Sequence, residues 1–299
     1  MRGSGNTMRD RPVEPKSWPN IAPSGRPFIK MHGLRNHFVI VDGRDVPFHP
    51  QTEQVIAMCD TKTGIGAEQL LIVDRPSDEG ASQGAYAFMR IVNIDGREAE
   101  ACGNATRCIG YLLLEESGRD SVLIETLGGI LECRRAGEMS VSVNMGKITM
   151  DWRVIPLSQH RDTLHLDIAH GPLKSPSVLN IGNPHVVYFV DDLDAIDLAE
   201  IAPPIQNDPL FPEQVNVGVA QMIDGQCMRL AVFERPGVLT TACGSGACVA
   251  TYAARARGLT SSRWMTVEMS AGALNIEINA DDTAIMTGPV AFCFQGHFL

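Results

Sequence analysis

Two cysteines lie in closely similar sequence contexts, one in each half of the chain. Cys102 lies in the segment EACGNATRC and Cys243 in the segment TACGSGAC. Each cysteine is followed by a glycine and a short polar stretch, after which an apolar helical pattern begins. This repetition predicts two equivalent thiols, each at the start of a helix. Two facing thiols can remove a proton from one face of a carbon atom and return a proton to the other face.

The start of a helix is a favourable place for acid–base chemistry by a thiol. A helix N-terminus has unpaired N–H groups and a partial positive charge, so we expect each thiol to have a lowered pKa. The same N–H groups can hold a carboxylate, and Gly103 and Gly244 would let it approach the backbone closely. The pair predicts cofactor-free racemisation at an α-carbon, because oriented N–H groups stabilise the negative charge that forms. One cysteine would be a thiolate and the other a thiol, with coupled titrations.

Two helical patterns position these cysteines. The first extends from about residue 103 to 116 and stops at Gly118, and the second extends from about 245 to 257 and stops at Gly258. A glycine just past the last turn is a common C-terminal cap. A weaker helical pattern covers residues 193–201. Alternating apolar and polar residues predict strands at 37–41, 70–73, 86–92, 121–125, 129–133, 140–144, 178–181, 186–190, 215–222, 228–233, 265–269, 273–278 and 284–287.

Each half of the chain therefore offers several strands and one apolar helix. We predict an α+β fold of two similar domains, each a curved sheet wrapped around one central helix. The change from one domain to the other is expected near residues 146–150. Residues 1–27 contain five prolines among polar residues, which predicts a flexible N-terminal tail.

The composition excludes several classes of protein. The 299 residues are 44% apolar, which suits one large domain or two of ordinary size. A net charge of −10 gives no basic footprint for a nucleic acid, and no stretch approaches the roughly 20 apolar residues of a membrane span. Without an export signal, we expect a cytoplasmic protein that acts on a small molecule.

The cysteine spacing argues against disulfides and against metal. In a chain without an export signal, the eight cysteines are not expected to form a disulfide framework. Cys102 and Cys108 are six positions apart, wider than the C-x₂₋₄-C spacing of paired zinc ligands, and Cys243 and Cys248, five positions apart, are at the upper limit of that spacing. We interpret Cys108 and Cys248 as core residues of the two helices.

The motifs around the two cysteines resemble the two signatures of the diaminopimelate epimerase family. Residues 93–98, NIDGRE, with the Cys102 segment match the first signature, and Glu234-Arg235 with the Cys243 segment match the second. The resemblance covers about residues 28–299 in the family's order, through MHGL at 31–34, GIG at 64–66, GNPH at 182–185 and NVG at 216–218.

The resemblance implies a fold and a reaction. The fold would have two pseudo-symmetric domains, each a curved, mostly antiparallel sheet or barrel around a central helix, with the active site in the cleft between them. One domain would comprise residues 28–147 with a returning strand at 290–299, and the other residues 148–289. The implied reaction converts LL-diaminopimelate to meso-diaminopimelate, for lysine and peptidoglycan synthesis, without metal or pyridoxal phosphate.

The resemblance also implies a role for each matching position. Cys102 and Cys243 would be the acid and base, and Glu234 would contact the reacting ammonium group. The reacting carboxylate would be held by the backbone N–H groups of Gly103, Asn104, Gly244 and Ser245. The rest of the substrate pocket would be lined by Asn36, Asn93, Asn183, Asn216 and Arg235, with Gln69 and His185 at its edge.

The residues taken singly leave other interpretations open. On spacing alone, the two thiols fit core packing equally well, the asparagines fit turns, and Glu234-Arg235 fits a surface pair. Within the same class, the alternative is a two-cysteine racemase for another amino acid, such as histidine or proline. A redox protein and a pure binding module are alternatives of other classes, and a homodimer is left open.

This sequence departs from the family's usual pattern at a few positions. Arg35 and His37 flank Asn36, Ala105 stands where glycine is usual, and residues 236–239 read PGVL. Pro236 stiffens its loop. These departures leave every proposed catalytic group in place, and they bear on loop conformation and substrate range.

Overall fold

A computed structural model gives the structure of residues 25–100 and 102–298. This part of the chain forms 19 strands and five helices. Seventeen of the strands make one continuous sheet, and the other two make a separate small sheet. Within the described ranges, none of the helices combines the length and apolar character needed to cross a membrane.

The first half of the chain contributes eight strands and three helices. In chain order they are β1 (Pro27–Gly33), β2 (Asn36–Asp42), α1 (Thr52–Cys59), β3 (Gln69–Asp74), α2 (Asp78–Ser82), β4 (Ala87–Asn93), β5 (Glu98–Ala99), α3 (Gly103–Ser117), β6 (Ser121–Thr126), β7 (Gly129–Gly137) and β8 (Ser140–Lys147).

The second half contributes eleven strands and two helices. In chain order they are β9 (Ala169–His170), β10 (Leu173–Lys174), β11 (Ser177–Asn180), β12 (Pro184–Phe189), α4 (Leu198–Gln206), β13 (Asn216–Met222), β14 (Cys227–Glu234), β15 (Val238–Thr240), α5 (Gly244–Ala256), β16 (Trp264–Met269), β17 (Gly272–Ile278), β18 (Thr283–Pro289) and β19 (Ala291–His297).

The two halves repeat one strand topology. In the first half β2 is parallel to β3, β3 is antiparallel to β4, and β4 is antiparallel to β5 but parallel to β6. The strands from β12 to β16 repeat these four pairings in the same order. One helix of each half, α3 or α5, packs against its sheet. The predicted α+β class, with two similar and mostly antiparallel halves around central helices, is confirmed.

Two strand pairs join the halves. β8 pairs antiparallel with β18, which places Val143 opposite Met286. β19 pairs antiparallel with β1, so the end of the chain returns to the first half after the second half is complete. The predicted domain boundaries at 147/148 and 289/290 fall between β8 and β9 and between β18 and β19. The division into domains itself stays a prediction.

Both central helices begin at the cysteines. Cys102 is the N-capping residue of α3, with φ −149° and ψ 111°, and Cys243 is that of α5, with φ −129° and ψ 107°. Gly118 follows α3 with a φ of 64°, and Gly258 lies just beyond α5 with a φ of 71°. A residue with a Cβ would be strained in this left-handed conformation. The glycines therefore fix where both helices stop.

The two central helices are held by apolar packing. Leu113 and Leu114 of α3 are at most 2% exposed, and burying a side chain of this size contributes about 1.5–3 kcal/mol. Cys108 and Cys248 are 0% exposed in the same core cluster, which confirms their interpretation as packing residues. The core thus fixes the axes of both helices and, with them, the positions of the two N-capping thiols.

Some local elements differ from the sequence predictions. The weak helical pattern at 193–201 is wrong in position, because the Asp197 side chain accepts a hydrogen bond from Glu200 N at 3.2 Å and starts α4 at Leu198. The short helices α1 and α2 were not predicted, since eight and five residues carry too few apolar repeats. Residues 1–24 of the predicted tail lie outside the described residues, and its last residue, Pro27, begins β1.

Candidate active site

The N-termini of α3 and α5 converge on one methionine. A Cβ placed on Gly103 would lie 2.9 Å from Met286 Cε, and a Cβ placed on Gly244 would lie 2.6 Å from Met286 Sδ. Both distances are shorter than real contacts of this kind, so a Cβ at either helix start would require the end of the Met286 side chain to shift. Asn104 Nδ2 also donates to the backbone oxygen of Ala242 at 3.5 Å. The two predicted thiol segments are therefore direct neighbours in space.

The first thiol contacts the predicted substrate amides of its own half. Cys102 is half-buried, and its Sγ lies 3.8 Å from Asn36 Oδ1, to which it donates. Asn104 Nδ2 donates to the same Asn36 oxygen at 3.3 Å. Asn36 is the first residue of β2, so the start of a strand and the start of a helix meet here.

The second thiol is more deeply buried. Cys243 is 4% exposed, and its Sγ accepts a hydrogen bond from Gly246 N at 3.3 Å. The Ser245 hydroxyl lies 3.5 Å from the same sulfur. The N–H groups of Gly244 and Ser245 belong to the first turn of α5, where a helix offers no backbone acceptor. The start of α5 can therefore hold an anion beside the thiol.

The expected lowering of the thiol pKa values is wrong. Burial raises the pKa of Cys102, opposed by the N–H groups of Ala105 and Asn104 and reinforced by the Glu234 carboxylate. Burial raises the pKa of Cys243 well above its usual range, and the Glu234 carboxylate acts in the same direction. The helix starts do favour the thiolates, but dehydration and a neighbouring negative charge outweigh them. Both cysteines are therefore neutral thiols in this structure at neutral pH.

Glu234 is the acidic group of the site. It is the last residue of β14, and its negative charge raises the pKa of both Cys102 and Cys243. Thr240 Oγ1 donates to its Oε1 at 3.2 Å. Burial raises the pKa of the Glu234 carboxyl. A cation that entered the cleft beside the thiols would meet this carboxylate.

His185 is a buried residue that contacts three polar side chains around the start of α5 and the cleft. Its ring is 0% exposed, and its Nε2 lies 3.0 Å from Ser245 Oγ, 3.1 Å from Asn183 Oδ1 and 3.3 Å from Asn216 Nδ2. Burial lowers the pKa of His185 to about 3, so the ring is neutral. It therefore holds the polar side chains around Cys243 in place.

The site opens into a polar cleft of about 370 Å³. From the second half it is lined by residues that include Asn183, Asn216, Glu234 and Arg235. Arg235 N donates to Asn216 Oδ1 at 2.8 Å, and its Nη1 donates to the backbone oxygen of Glu213 at 2.6 Å. A half-buried guanidinium group at this place can pair with a carboxylate.

Arg97 lines the same cleft from the first half, and the sequence analysis did not predict it. It lies in the turn between β4 and β5, where its Nη2 is 2.6 Å from Asp95 Oδ2. The turn begins at Asn93, whose N–H donates to the Arg97 oxygen at 2.9 Å. The sequence signal that could have predicted Arg97 as a cleft residue is its position as the basic residue of the NIDGRE motif.

Gln69 and Asn93 form a separate pair on neighbouring strands. They lie opposite each other in the β3–β4 ladder, and Gln69 Nε2 donates to Asn93 Oδ1 at 2.9 Å. Within the described residues, Gln69 Oε1 is buried without a hydrogen-bond partner. The pair supports the turn that carries Arg97, and it leaves one acceptor free.

The described part of the chain gives no alternative centre for a metal. No group of three or more histidine, cysteine, aspartate or glutamate side chains in residues 25–100 and 102–298 is arranged to hold an ion. The ionisable side chains on the wall of the cleft are those of Arg97, Glu213, Glu234 and Arg235. The His185 ring contacts Asn183 and Asn216 of the same wall, and the two thiols lie at the starts of α3 and α5.

Residues of both halves of the doubled fold line this polar cleft. The fold is shared with a solved PhzF-family protein of phenazine biosynthesis from Bacillus anthracis, with a TM-score of 0.63 and 17% identity over 92% of this chain and 99% of that chain. The family model for diaminopimelate epimerase matches residues 28–150 and 177–293.

Curated relatives agree with the family model. The chain is 48% identical to a diaminopimelate epimerase of Phenylobacterium zucineum, over 92% of this chain and 98% of the relative. It is 44% identical to a diaminopimelate epimerase of Rhodospirillum centenum, over 91% of both chains. The chain belongs to the diaminopimelate epimerase family.

Proposed function

We propose that the chain interconverts LL-diaminopimelate and meso-diaminopimelate, with Cys102 and Cys243 as the acid and base and without a cofactor. The relatives that carry the name diaminopimelate epimerase support this substrate. The reaction serves lysine and peptidoglycan synthesis. A cytoplasmic location and assembly as a homodimer stay predictions.

The proton balance of the reaction needs both thiols. One cysteine, as thiolate, takes the α-proton as the α-carbon–hydrogen bond breaks, and it becomes a thiol. The other cysteine, as thiol, gives its proton to the opposite face of the same carbon and becomes a thiolate. The two residues exchange their protonation states in each turnover, so the reverse reaction uses them in exchanged roles.

The two helix starts supply the stabilisation that the reaction needs. Loss of the α-proton moves negative charge onto the reacting carboxylate, which must be stabilised by fixed donors. The N–H groups of Gly103 and Asn104 in α3 and of Gly244 and Ser245 in α5 lie in first turns without backbone acceptors. Removing one such donor from an oxyanion site costs about 3–4 kcal/mol in other enzymes.

Glu234 links substrate binding to thiol activation. Its carboxylate raises the pKa of both thiols. The ammonium group of the substrate would pair with Glu234 and offset that negative charge. Formation of a thiolate then becomes easier when substrate is bound, so the reactive base is generated only in the occupied cleft.

The outer part of the cleft suits the second charged end of diaminopimelate. Arg235 and Arg97 face it from the two halves, with Asn183 and Asn216 beside them. Diaminopimelate has a carboxylate and an ammonium group at each end, so its distal end needs a guanidinium group and amides that both donate and accept. Histidine and proline have no second carboxylate, and this favours the longer substrate.

A single observation carries the proposal: two N-capping thiols, one from each half, lie at helix starts that converge on Met286. The test is turnover of LL-diaminopimelate in D₂O by the wild type and by Cys102→Ser and Cys243→Ser. We expect the wild type to form meso-diaminopimelate and to introduce deuterium at the α-carbon. Each serine variant should lose activity by about 10²–10⁴-fold, the usual contribution of a positioned acid or base.

Cys59→Ala is the matched control. Cys59 is the last residue of α1 and is 3% exposed in a separate core cluster, so its loss tests thiol removal without touching the cleft. Its activity should stay near the wild-type value. If the wild type neither epimerises LL-diaminopimelate nor exchanges its α-proton, the proposal is wrong. If histidine or proline is turned over faster in a side-by-side panel, the substrate is that amino acid and not diaminopimelate.

A further inference from the structure

We propose that Arg107 is a positioning residue, which sets the two thiol-bearing helix starts by holding the side-chain amide of Asn104. This inference rests on the two-thiol function proposed above and adds a residue that acts through another. Arg107 lies in α3, five positions after Cys102, and is 0% exposed. Its Nη2 donates to Asn104 Oδ1 at 2.8 Å.

The guanidinium group lies in a cradle that glycines keep open. A Cβ on Gly33 in β1 would lie 3.0 Å from Arg107 Nη2, and a Cβ on Gly288 in β18 would lie 3.3 Å from its Nε. Nη1 lies 3.4 Å from Met286 Sδ, and Nε lies 3.5 Å from the backbone oxygen of Pro289. Strands of both halves therefore shape this site, and the guanidinium group has little room to move.

The cradle fixes which way the Asn104 amide points. Because Arg107 donates to the amide oxygen, the amide nitrogen must face the other way. That nitrogen donates to Asn36 Oδ1 at 3.3 Å and to Ala242 O at 3.5 Å. Asn36 Oδ1 is also the partner of the Cys102 thiol, and Ala242 directly precedes Cys243. One oriented amide thus connects the surroundings of both sulfurs.

The charge of Arg107 has no counter-ion in the described chain. No ion pair of residues 25–100 and 102–298 includes it, and the titratable groups that act on its pKa are Cys102, Cys108 and Cys248. A buried cation without a partner destabilises a fold. The negative charge that compensates it in the proposed reaction is the Cys102 thiolate.

The test compares Arg107→Met, Asn104→Ala and the double variant in two assays. The first assay is kcat for LL-diaminopimelate, where we expect each single variant to fall by up to about 100-fold, the effect of a small misplacement of reacting groups. The double variant should fall no further than the worse single variant, because both changes break the same bridge.

The second assay is alkylation of Cys102 by iodoacetamide as a function of pH, read by peptide mass. The charged groups that act on Cys102 are Glu234 of β14 and Arg107 of α3. Loss of the Arg107 charge should move the alkylation midpoint to higher pH. Asn104→Ala removes no charge, so it provides the comparison for a change of position alone.

Arg257→Met is the matched control. Arg257, at the end of α5, also donates to backbone oxygens, those of Leu164 and Ser175 at 3.0 and 2.8 Å. Its loss should leave kcat and the alkylation midpoint of Cys102 unchanged.

For Arg107→Met, a kcat within twofold of wild type or additive losses in the double variant overturn the inference. If Arg107→Met does not fold, Asn104→Ala decides alone, and a kcat within twofold of wild type overturns the inference. Since alkylation needs no turnover, an unchanged midpoint overturns it even if the chain does not epimerise diaminopimelate.

Discussion

Glu234 opposes thiolate formation and, in the proposed function, also binds substrate, and these two effects can be measured separately. Its carboxylate raises the pKa of both Cys102 and Cys243, while in the proposed function it binds the substrate ammonium group. Glu234→Gln should therefore move the pH midpoint of alkylation at both cysteines downward, because the neutral amide no longer opposes thiolate formation. It should also lower kcat/KM by about 10- to 100-fold, since a hydrogen bond to a charged group contributes about 1.5–3 kcal/mol.

The control for this prediction is Glu268→Gln. Glu268 lies on β16 beside Cys227, so its replacement should leave the midpoints of Cys102 and Cys243 where they are. A higher or equal midpoint in Glu234→Gln would show that Glu234 does not set the ionisation of the thiols.

At the residue scale, the sequence predicted two thiols at helix starts, and the structure places them there, but the sequence did not predict their ionisation. Cys102 and Cys243 could be recognised because an Ala-Cys-Gly segment precedes each helix. The raised pKa values depend on burial and on Glu234, a residue of the second half whose charge acts on Cys102 of the first half. Such an interaction across 132 positions of sequence (234 − 102) is set by tertiary packing.

At the scale of elements, α3 depends on a close approach to β7 at Gly110. A Cβ on Gly110 would lie 2.8 Å from Cys133 Sγ and 3.4 Å from Val141 Cγ1. Glycine inside a helix is ordinarily less stable than alanine by about 0.5–1 kcal/mol. Here Gly110→Ala should instead destabilise the fold by about 1–3 kcal/mol, the usual cost of overpacking, as measured by urea unfolding.

The double variant Gly110→Ala with Cys133→Ala checks the cause. Removing the sulfur relieves part of the overlap, so the double variant should be less destabilised than the sum of the two single variants. Strict additivity, or a Gly110→Ala variant as stable as the wild type, would contradict close packing of α3 on β7.

The same elements show how far local sequence signals reach. The starts and ends of α3 and α5 were predictable, because a polar first turn and a glycine past the last turn are local signals. The position of α4 was not, since its start depends on which acidic residue caps it, and Asp197 does so while Asp191, Asp192 and Asp194 do not. β19 carries no distinctive pattern, and its pairing with β1 was implied only by the family resemblance.

At the scale of the whole molecule, the repeat explains why the site lies between the halves. Each half presents one helix N-terminus at the same place in its topology, after β5 or after β15. The β8–β18 pairing joins the strands of the two halves, and both helix starts converge on Met286 of β18. A fold with one half alone would have one thiol, and the proposed proton transfer on opposite faces of a carbon needs two.

The cleft between the halves also predicts that Arg97 and Arg235 do not contribute equally. Arg235 is half-buried and fixed by Asn216 and Glu213, whereas the side chain of Arg97 is 78% exposed and bonds Asp95 in the same turn. Arg97→Ala should raise KM for LL-diaminopimelate by about two- to fivefold with kcat unchanged, as expected for an exposed charge. The difference in KM between Arg97→Ala and the wild type should shrink at high salt, which screens exposed charges.

Arg134→Ala is the matched control, because Arg134 is also exposed and pairs with an acidic residue two positions earlier, Glu132, outside the cleft. If Arg97→Ala and Arg134→Ala have the same KM, the prediction is wrong, and only residues of the second half recognise the distal carboxylate.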